Sequence, residues 1–387
     1  MEKTDVIVIG AGSTGVGVAR DLALRGVGVA LVDMGDVANG TSGRNHGLLH
    51  SGGRYAVKDA HAAAECIHEN RILMSIARHC IDPCGGMFVA IEGDDLDYCS
   101  SFPDACRRAG IEVEQVSPAE AREREPGLSD KVVRAFVVPD GAVDPFLLCL
   151  SNAMDAAEHG AAILTHHRVK EMTVGSGCVT GVVLENRITG EQREMGCRVV
   201  VNAAGPWAGK VAAAAGLEVN LVLSRGSLVV TRGRLVRGVV NHLRPPANGD
   251  IIVPGGPVCL IGTTSVTVHS PDELDPDAKE TALLVEEGAK LVPSVAGARA
   301  LREFTGIRPL YREGGPGGAD GRSVSRGFAV LDHEARDGLE GLITVVGGKL
   351  TTYRLMAEKV ADMAAKKLGV TAPCTTAEEK LPGSEQV

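Results

Sequence analysis

Three arginines stand beside glycine or proline turns. Arg54 follows Gly52-Gly53, Arg308 lies in Thr305-Gly306-Ile307-Arg308-Pro309, and Arg326 lies in Val324-Ser325-Arg326-Gly327. A guanidinium presents a fixed fork of donors suited to bidentate binding of phosphate or carboxylate. Each arginine read singly is an ordinary surface residue; the three together suit a dianionic head group. His46 and His50 flank one loop. A neutral imidazole there could take a proton from a substrate hydroxyl, or only hydrogen-bond backbone or a cofactor. Lys349 follows Gly347-Gly348, where it could add positive charge or touch substrate. Thr351 and Thr352 could instead cap the helix expected after this turn.

These side chains need a frame, and the strongest sign of one is at the start of the chain. Val6-Ile7-Val8-Ile9 runs into Gly10-Ala11-Gly12-Ser13-Thr14-Gly15, and the next apolar run, Val27–Val32, ends in Asp33. A buried strand, a Gly-rich turn, a helix and an acid at the end of the second strand make a dinucleotide-binding unit. Gly10 allows the turn, Gly12 admits a pyrophosphate and Gly15 lets the helix pack on the strand. The helix N-terminus offers N–H groups and positive potential to the phosphates, and Asp33 can accept from a ribose diol. A unit that opens at residue 5 favours FAD over a nicotinamide. It is the single fingerprint of its kind, so electrons are expected to leave to an acceptor other than NAD. Ala203–Gly205 and Gly347–Gly348 also end buried strands. The first reads equally as a simple strand-end turn or as a cofactor contact. The second would aim a helix dipole at the cofactor's reducible ring.

The chain of 387 residues predicts two lobes. A net charge of −9 and 3% aromatic residues exclude a general nucleic-acid binder. The ten cysteines are scattered with no C-x-x-C pair, so reduced thiols are expected and no metal or cluster site. No apolar run is long enough to span a bilayer, and the N-terminus has no basic leader region. The basic stretch Arg225, Arg232, Arg234, Arg237 and Arg244 reads as a solvated sheet face before it reads as a docking patch.

The periodicity predicts helices over 16–25, 58–80, 101–109, 277–292 and up to about 368. It predicts a small β-meander from segments at 162–165, 170–174, 179–185 and 191–195, and a Gly-rich loop at 314–321. The expected fold is α/β: a Rossmann-like FAD-binding domain, discontinuous in sequence, with a mixed-sheet substrate (cap) domain. The expected bounds are 1–80, 146–220 and 327–372 for the FAD domain, 81–145 and 221–326 for the substrate domain, and a loosely held polar tail over 373–387.

The segments GAGSTGVGVARDLALRG, TSGRNHGLLHSGGRYAV, PDGAVDPF, VVVNAAGPWA, SRGSLVV, LIGTTS, GIRPL, VSRG and GGKLTTYRLMAEK occur in order. With them the chain resembles the flavin-dependent glycerol-3-phosphate dehydrogenases of the D-amino-acid-oxidase-like superfamily, above all the catalytic A subunits of the anaerobic bacterial enzymes. The resemblance implies oxidation of sn-glycerol 3-phosphate to dihydroxyacetone phosphate by hydride transfer to flavin N5. Arg54, Tyr55, Thr263, Arg308 and Arg326 match positions that line the substrate site in related enzymes, and Lys349 matches one near flavin and substrate. Gly10, Gly12, Gly15 and Asp33 match the ADP-binding part, with Asp33 where many relatives carry Glu. The expected cofactor set is completed by Ser13, Thr14, Thr41, Ser42, His46, Ala204, Gly205, Gly348, Lys349, Leu350 and Thr351. The expected catalytic set is Arg308, His50 and Lys349.

The A subunits usually continue into a Cys-rich domain that resembles a [2Fe–2S]-binding module, and this sequence stops where that domain would begin. The electron exit is therefore expected to be a quinone, a partner subunit or another acceptor. The implied location is the cytoplasm, with at most peripheral contact at the cytoplasmic face of the inner membrane. Two rivals share the frame: an oxidase of a 2-hydroxy or amino acid, and a non-catalytic flavoprotein subunit. The first would need one cation for a single carboxylate, and the second would not need Arg54, Arg308 and Arg326 together.

Overall fold

The computed structural model describes residues 2–311 and 327–386. The expected loop at 314–321 and Arg326 lie outside the described residues. The chain divides into two compact units: Met1–Gly43, Pro145–Leu223 and Arg308–Val387 form one, and Arg44–Asp144 and Ser224–Ile307 the other. Residues 44–80, assigned above to the nucleotide lobe, fall in the second unit.

The first unit is built on a six-stranded sheet. Its strand order is Ala162–Leu164, Val29–Val32, Val6–Ile9, Val199–Asn202, Leu342–Gly347 and Phe328–Asp332. The first five are parallel and the last is antiparallel. Its parallel strands are mostly apolar because both faces are covered, with Asn202 and Thr344 buried polar exceptions. Val6 and Val8 enter one core cluster, and Ile7 and Ile9 enter another. On one face lie the helices Ser13–Leu24, Pro145–Glu158 and Tyr353–Leu368. They meet through small side chains: a Cβ on Gly17 would stand 2.9 Å from that of Ala357. The other face carries Met172, Val182, Leu184 and Met195. These come from a four-stranded layer of Glu2–Lys3, Gln192–Gly196, Cys178–Asn186 and His167–Gly175.

The expected meander is therefore present without its first strand. Ala162–Leu164 pairs in parallel with Ala30, Leu31 and Val32 and belongs to the central sheet. The tail is also held, contrary to expectation. Fully buried Arg20 donates to the carbonyls of Thr376 (3.5 Å) and Glu379 (2.9 Å), Arg25 to that of Ala372 (3.3 Å), and Leu381 is buried.

The second unit carries a nine-stranded mixed sheet. Val239–His242 runs parallel to Gly86–Ile91, while its other neighbour, Ile251–Gly255, runs antiparallel to it. The helices Ala60–Ile76, Leu96–Arg108 and Ala278–Leu291 belong to this unit, each N-capped by an aspartate: Asp59, Asp95 and Asp277. A small sheet of Leu48–Leu49, Gly141–Val143 and Ile81–Asp82 supports the loop that carries His46 and His50.

Candidate active site

In the first unit the three Gly-bearing turns and Asp33 sit at the carboxyl ends of four adjacent parallel strands, where open α/β sheets bind ligands. Two of the fingerprint glycines are required by the chain itself. Gly10 has φ +108°, and a Cβ there would stand 2.5 Å from the Ala203 carbonyl oxygen; one on Gly15 would overlap the Gly10 carbonyl oxygen. Gly12 differs. A Cβ there would meet only the Ser42 side chain, its Oγ at 3.0 Å. The protein leaves a cradle at this point, of the kind a pyrophosphate fills.

Gly12 also N-caps the helix Ser13–Leu24 with no side-chain cap, so the first-turn amides keep their positive potential. Ser42, next to Thr41 in the turn Thr41–Gly43, accepts from the Ser13 N–H at 2.8 Å and donates to Ser13 Oγ at 3.1 Å. Asp33 accepts from the Ala11 N–H through Oδ2 and the Gly35 N–H through Oδ1, each at 2.7 Å. Burial raises its pKa and the two amides pull it back down. The carboxylate thus braces the Gly-rich turn and keeps lone pairs for a diol. These residues fit the ADP half of a dinucleotide.

The other two turns are equally constrained. Ala204 (φ −75°, ψ 10°) and Gly205 (φ +54°) lead into the short turn Gly205–Trp207. Gly347 and Gly348 have φ +80° and +78°, and a Cβ on Gly348 would overlap Met356 Sδ. The helix expected directly after them is delayed. Leu350–Thr352 forms a 3-10 turn, and Tyr353–Leu368 follows. Thr352 does not cap it: its Oγ1 donates back to the Lys349 carbonyl at 3.2 Å. Lys349, Leu350 and Arg308 are half-buried in this unit, and Thr351 is fully buried.

The second unit brings together His46, His50, Arg54, Tyr55 and Thr263. The His46 and His50 rings are 6.2 Å apart and edge-on, and those of His50 and Tyr55 are 5.6 Å apart. The position of a Cβ on Gly262 is 3.8 Å from His46 Cδ2, which sets the neighbouring Thr263 beside this loop. The Leu48 N–H donates to His46 Nδ1 at 3.2 Å, so in the neutral ring the proton lies on Nε2. His50 is buried. Its backbone is held by Asn70, whose amide donates to the carbonyls of Leu49, His50 and Pro139. Asp140 accepts from the Ser51 N–H at 2.6 Å.

Arg54 lies in the short helix Gly53–Ala56 and donates through Nη2 to Asp250 Oδ2 (2.8 Å) and the Ala247 carbonyl (3.3 Å). Asp250 also pairs with Arg244 at 2.8 Å. Sequence reasoning missed Asp250, Asn70 and Asp140. An acid opening the apolar strand Ile251–Gly255 was the one available sign of the first. Three of the five arginines in the basic stretch are paired with acids: Arg225 with Glu280, Arg234 with Asp82, and Arg244 with Asp250 and Glu287.

Residues 5–362 match the family model of FAD dependent oxidoreductases. The chain is similar to the A subunit of the anaerobic glycerol-3-phosphate dehydrogenase of Escherichia coli K12, with 48% identity over 388 residues covering all of this chain and 71% of that protein. It is similar in the same way to the A1 subunit of the Haloferax volcanii enzyme, with 48% identity over 395 residues covering 100% of this chain and 67% of that protein. Among solved structures, a glycerol-3-phosphate dehydrogenase of Bacillus halodurans complexed with FAD superposes with a TM-score of 0.75 and 26% identity, covering 99% of this chain and 68% of that one. The family match and these identities, together with the fingerprint strand, its bracing acid and the Gly-Gly turn at one sheet edge, show that the chain belongs to the FAD-dependent oxidoreductases and, within them, to the A subunits of the anaerobic glycerol-3-phosphate dehydrogenases.

Proposed function

We propose that the chain oxidises sn-glycerol 3-phosphate to dihydroxyacetone phosphate with FAD as its redox cofactor. The observation that carries this reading is 48% identity, spread over the whole chain, to A subunits named for that reaction. Gly10, Gly12, Ser13, Thr14, Gly15, Asp33, Thr41 and Ser42 hold the ADP half of the cofactor. Ala204, Gly205, Gly348, Lys349, Leu350, Thr351 and His46 contact the rest. Bound FAD supplies a two-electron acceptor for the hydride that leaves substrate C2.

The protein's share is binding, orientation and proton transfer. Arg54, Arg308 and Arg326 bind the phosphate dianion, with Tyr55 and Thr263 beside it. Asp250 engages one edge of the Arg54 guanidinium and fixes its plane, while Nε and Nη1 remain as donors for an anion. His50 takes the proton from the substrate hydroxyl as the carbonyl forms, and Arg308 and Lys349 favour negative charge on the reacting oxygen.

Electrons leave through a partner subunit or a quinone. No helix among the described residues is long and apolar enough to cross a membrane. The chain works in the cytoplasm, with any contact to the inner membrane face peripheral and made through its partner. The test is anaerobic reduction of the bound flavin by a panel of glycerol 3-phosphate, glycerol, lactate, 2-hydroxyglutarate and glycine. Bleaching by glycerol 3-phosphate alone is expected. Bleaching by lactate, 2-hydroxyglutarate or glycine instead would install the 2-hydroxy- or amino-acid reading. A flavin that no donor reduces would indicate a non-catalytic subunit.

A further inference from the structure

One row of residues crosses the central sheet at its carboxyl edge: Leu331, Thr344, Asn202, Ile9 and Val32 are successive partners on five neighbouring strands. Two of the five are polar and fully buried, and a third buried polar group joins them. His333, with no exposed surface, sets Nδ1 2.6 Å from Asp337 Oδ2 and Nε2 2.8 Å from Thr344 Oγ1. Asn202 donates through Nδ2 to Thr344 Oγ1 at 3.3 Å and to the Ala208 carbonyl at 2.8 Å, and its Oδ1 accepts from the Ala204 N–H at 3.3 Å. The mechanism above uses none of His333, Asp337, Thr344 or Asn202.

The directions of these bonds are settled by what each group can do. Asp337 as a carboxylate only accepts, so in the neutral ring of His333 the proton sits on Nδ1 and Nε2 accepts. The Thr344 hydroxyl then donates to His333, and its free lone pair takes the Asn202 amide hydrogen. The Asn202 amide is oriented independently by Ala208 on one side and Ala204 on the other. The relay ends on the Ala203–Gly205 turn. There the Ala203 carbonyl oxygen and Ala204 Cα lie 2.5 and 3.0 Å from where a Cβ on Gly10 would stand.

We infer that Asp337, His333, Thr344 and Asn202 are positioning residues for the cofactor site. They fix the Ala203–Gly205 turn against the fingerprint, so that the cofactor meets a preset edge. This rests on the reading of Ala204 and Gly205 as cofactor contacts. The relay is one directional link, from an acid at a helix end to the turn beside Gly10.

The test uses Thr344→Val, which keeps shape and removes the hydroxyl, and Thr344→Ser, which keeps the hydroxyl. FAD is stripped and the affinity for added FAD is measured by flavin fluorescence, together with the visible circular dichroism of the rebound flavin. Thr344→Val is expected to weaken FAD binding about three- to ten-fold, the worth of one hydrogen bond, and to change the dichroism. Thr344→Ser is expected to restore both. A Val variant that binds FAD like the parent, or a Ser variant as impaired as Val, overturns the inference and leaves the proposed function standing. A parent that binds no FAD overturns both. Should the Val variant fail to fold, ¹⁵N-histidine NMR of the parent decides: an Nδ1–H tautomer at His333 supports the relay, and an Nε2–H tautomer defeats it.

Discussion

Arg54 and Asp250 form an ion pair, Nη2 to Oδ2 at 2.8 Å, in which the acid is fully buried and the arginine side chain keeps 16% of its surface. Arg244 shares the same carboxylate and pairs also with Glu287, so among the described residues Asp250 is the acid that holds Arg54 and one of two that hold Arg244. Removing it strands Arg54 and leaves Arg244 with Glu287 alone. Asp250→Ala is expected to cost about 3–5 kcal/mol of stability, the usual loss when one partner of a buried pair is deleted. Urea unfolding measures this. A loss below about 1 kcal/mol, the range of a surface pair, would mean that the arginines find other partners.

The clamp assignment has its own test in Arg54→Ala, Arg308→Ala and Arg326→Ala. Each variant forfeits a charge-assisted hydrogen bond to substrate, about 1.5–3 kcal/mol, or roughly a ten- to hundred-fold fall in kcat/KM for glycerol 3-phosphate. Flavin content should stay at the parent level. Three variants with parental efficiency would remove the phosphate clamp and point to a substrate without phosphate.

The fingerprint glycines should separate into two classes. Gly15→Ala collides with the Gly10 carbonyl and is expected to destabilise the protein with or without FAD. Gly12→Ala meets only the tip of Ser42, so the flavin-free protein should melt close to the parent while FAD affinity falls. Calorimetry of the stripped proteins and FAD titration give the two readings. An FAD affinity unchanged in Gly12→Ala would place the pyrophosphate elsewhere.

Asp140 links stability to pH. Burial raises its carboxyl above the ordinary 3.8, partly offset by hydrogen bonds from Ser51 and Asn241. Between 3.8 and the raised value the folded chain binds more protons than the unfolded one. The group's contribution is therefore fully present below 3.8 and is lost as pH rises through the folded pKa. Asp140→Asn should remove this fall. The new amide can be accommodated, because the Oδ1 of Asn241 is buried without a partner and can turn to accept from it. Urea midpoints of parent and variant across acid pH should converge at the low end and separate upward, with the variant the more stable. Parallel curves would show that Asp140 does not titrate in this range.

What could be read from sequence was local. Val6–Ile9, Gly10–Gly15 and Asp33 announce themselves because strand, turn, helix and acid are consecutive. The capped helix Ala278–Leu291 and the apolar strand before Gly347 are legible for the same reason. Ala162–Leu164 was misplaced because its partner, Val29–Val32, is remote in sequence and nothing in three apolar residues says which sheet they join. The tail read as loose because its composition is polar. Besides the buried Leu381 and Thr376 side chains, its anchors are backbone carbonyls met by Arg20 and Arg25, and carbonyls leave no mark on composition. Asp250 and His333 escaped notice for a related reason: an isolated acid or histidine becomes informative only when its burial and its partners are known.

The strand order of the first unit also bears on how the chain is made. Val199–Asn202 pairs with Val6–Ile9 on one side and with Leu342–Gly347 on the other, so the centre of the sheet is completed by one of the last strands to be synthesised. At roughly 5–20 residues per second, about 20–70 s pass between the emergence of Val6–Ile9 and that of Leu342–Gly347. Until Leu342–Gly347 emerges, one edge of Val199–Asn202 has no strand partner, and its pairing waits on contacts of long sequence separation. The nucleotide-binding unit therefore completes its parallel sheet only late in synthesis, when Leu342–Gly347 reaches Val199–Asn202.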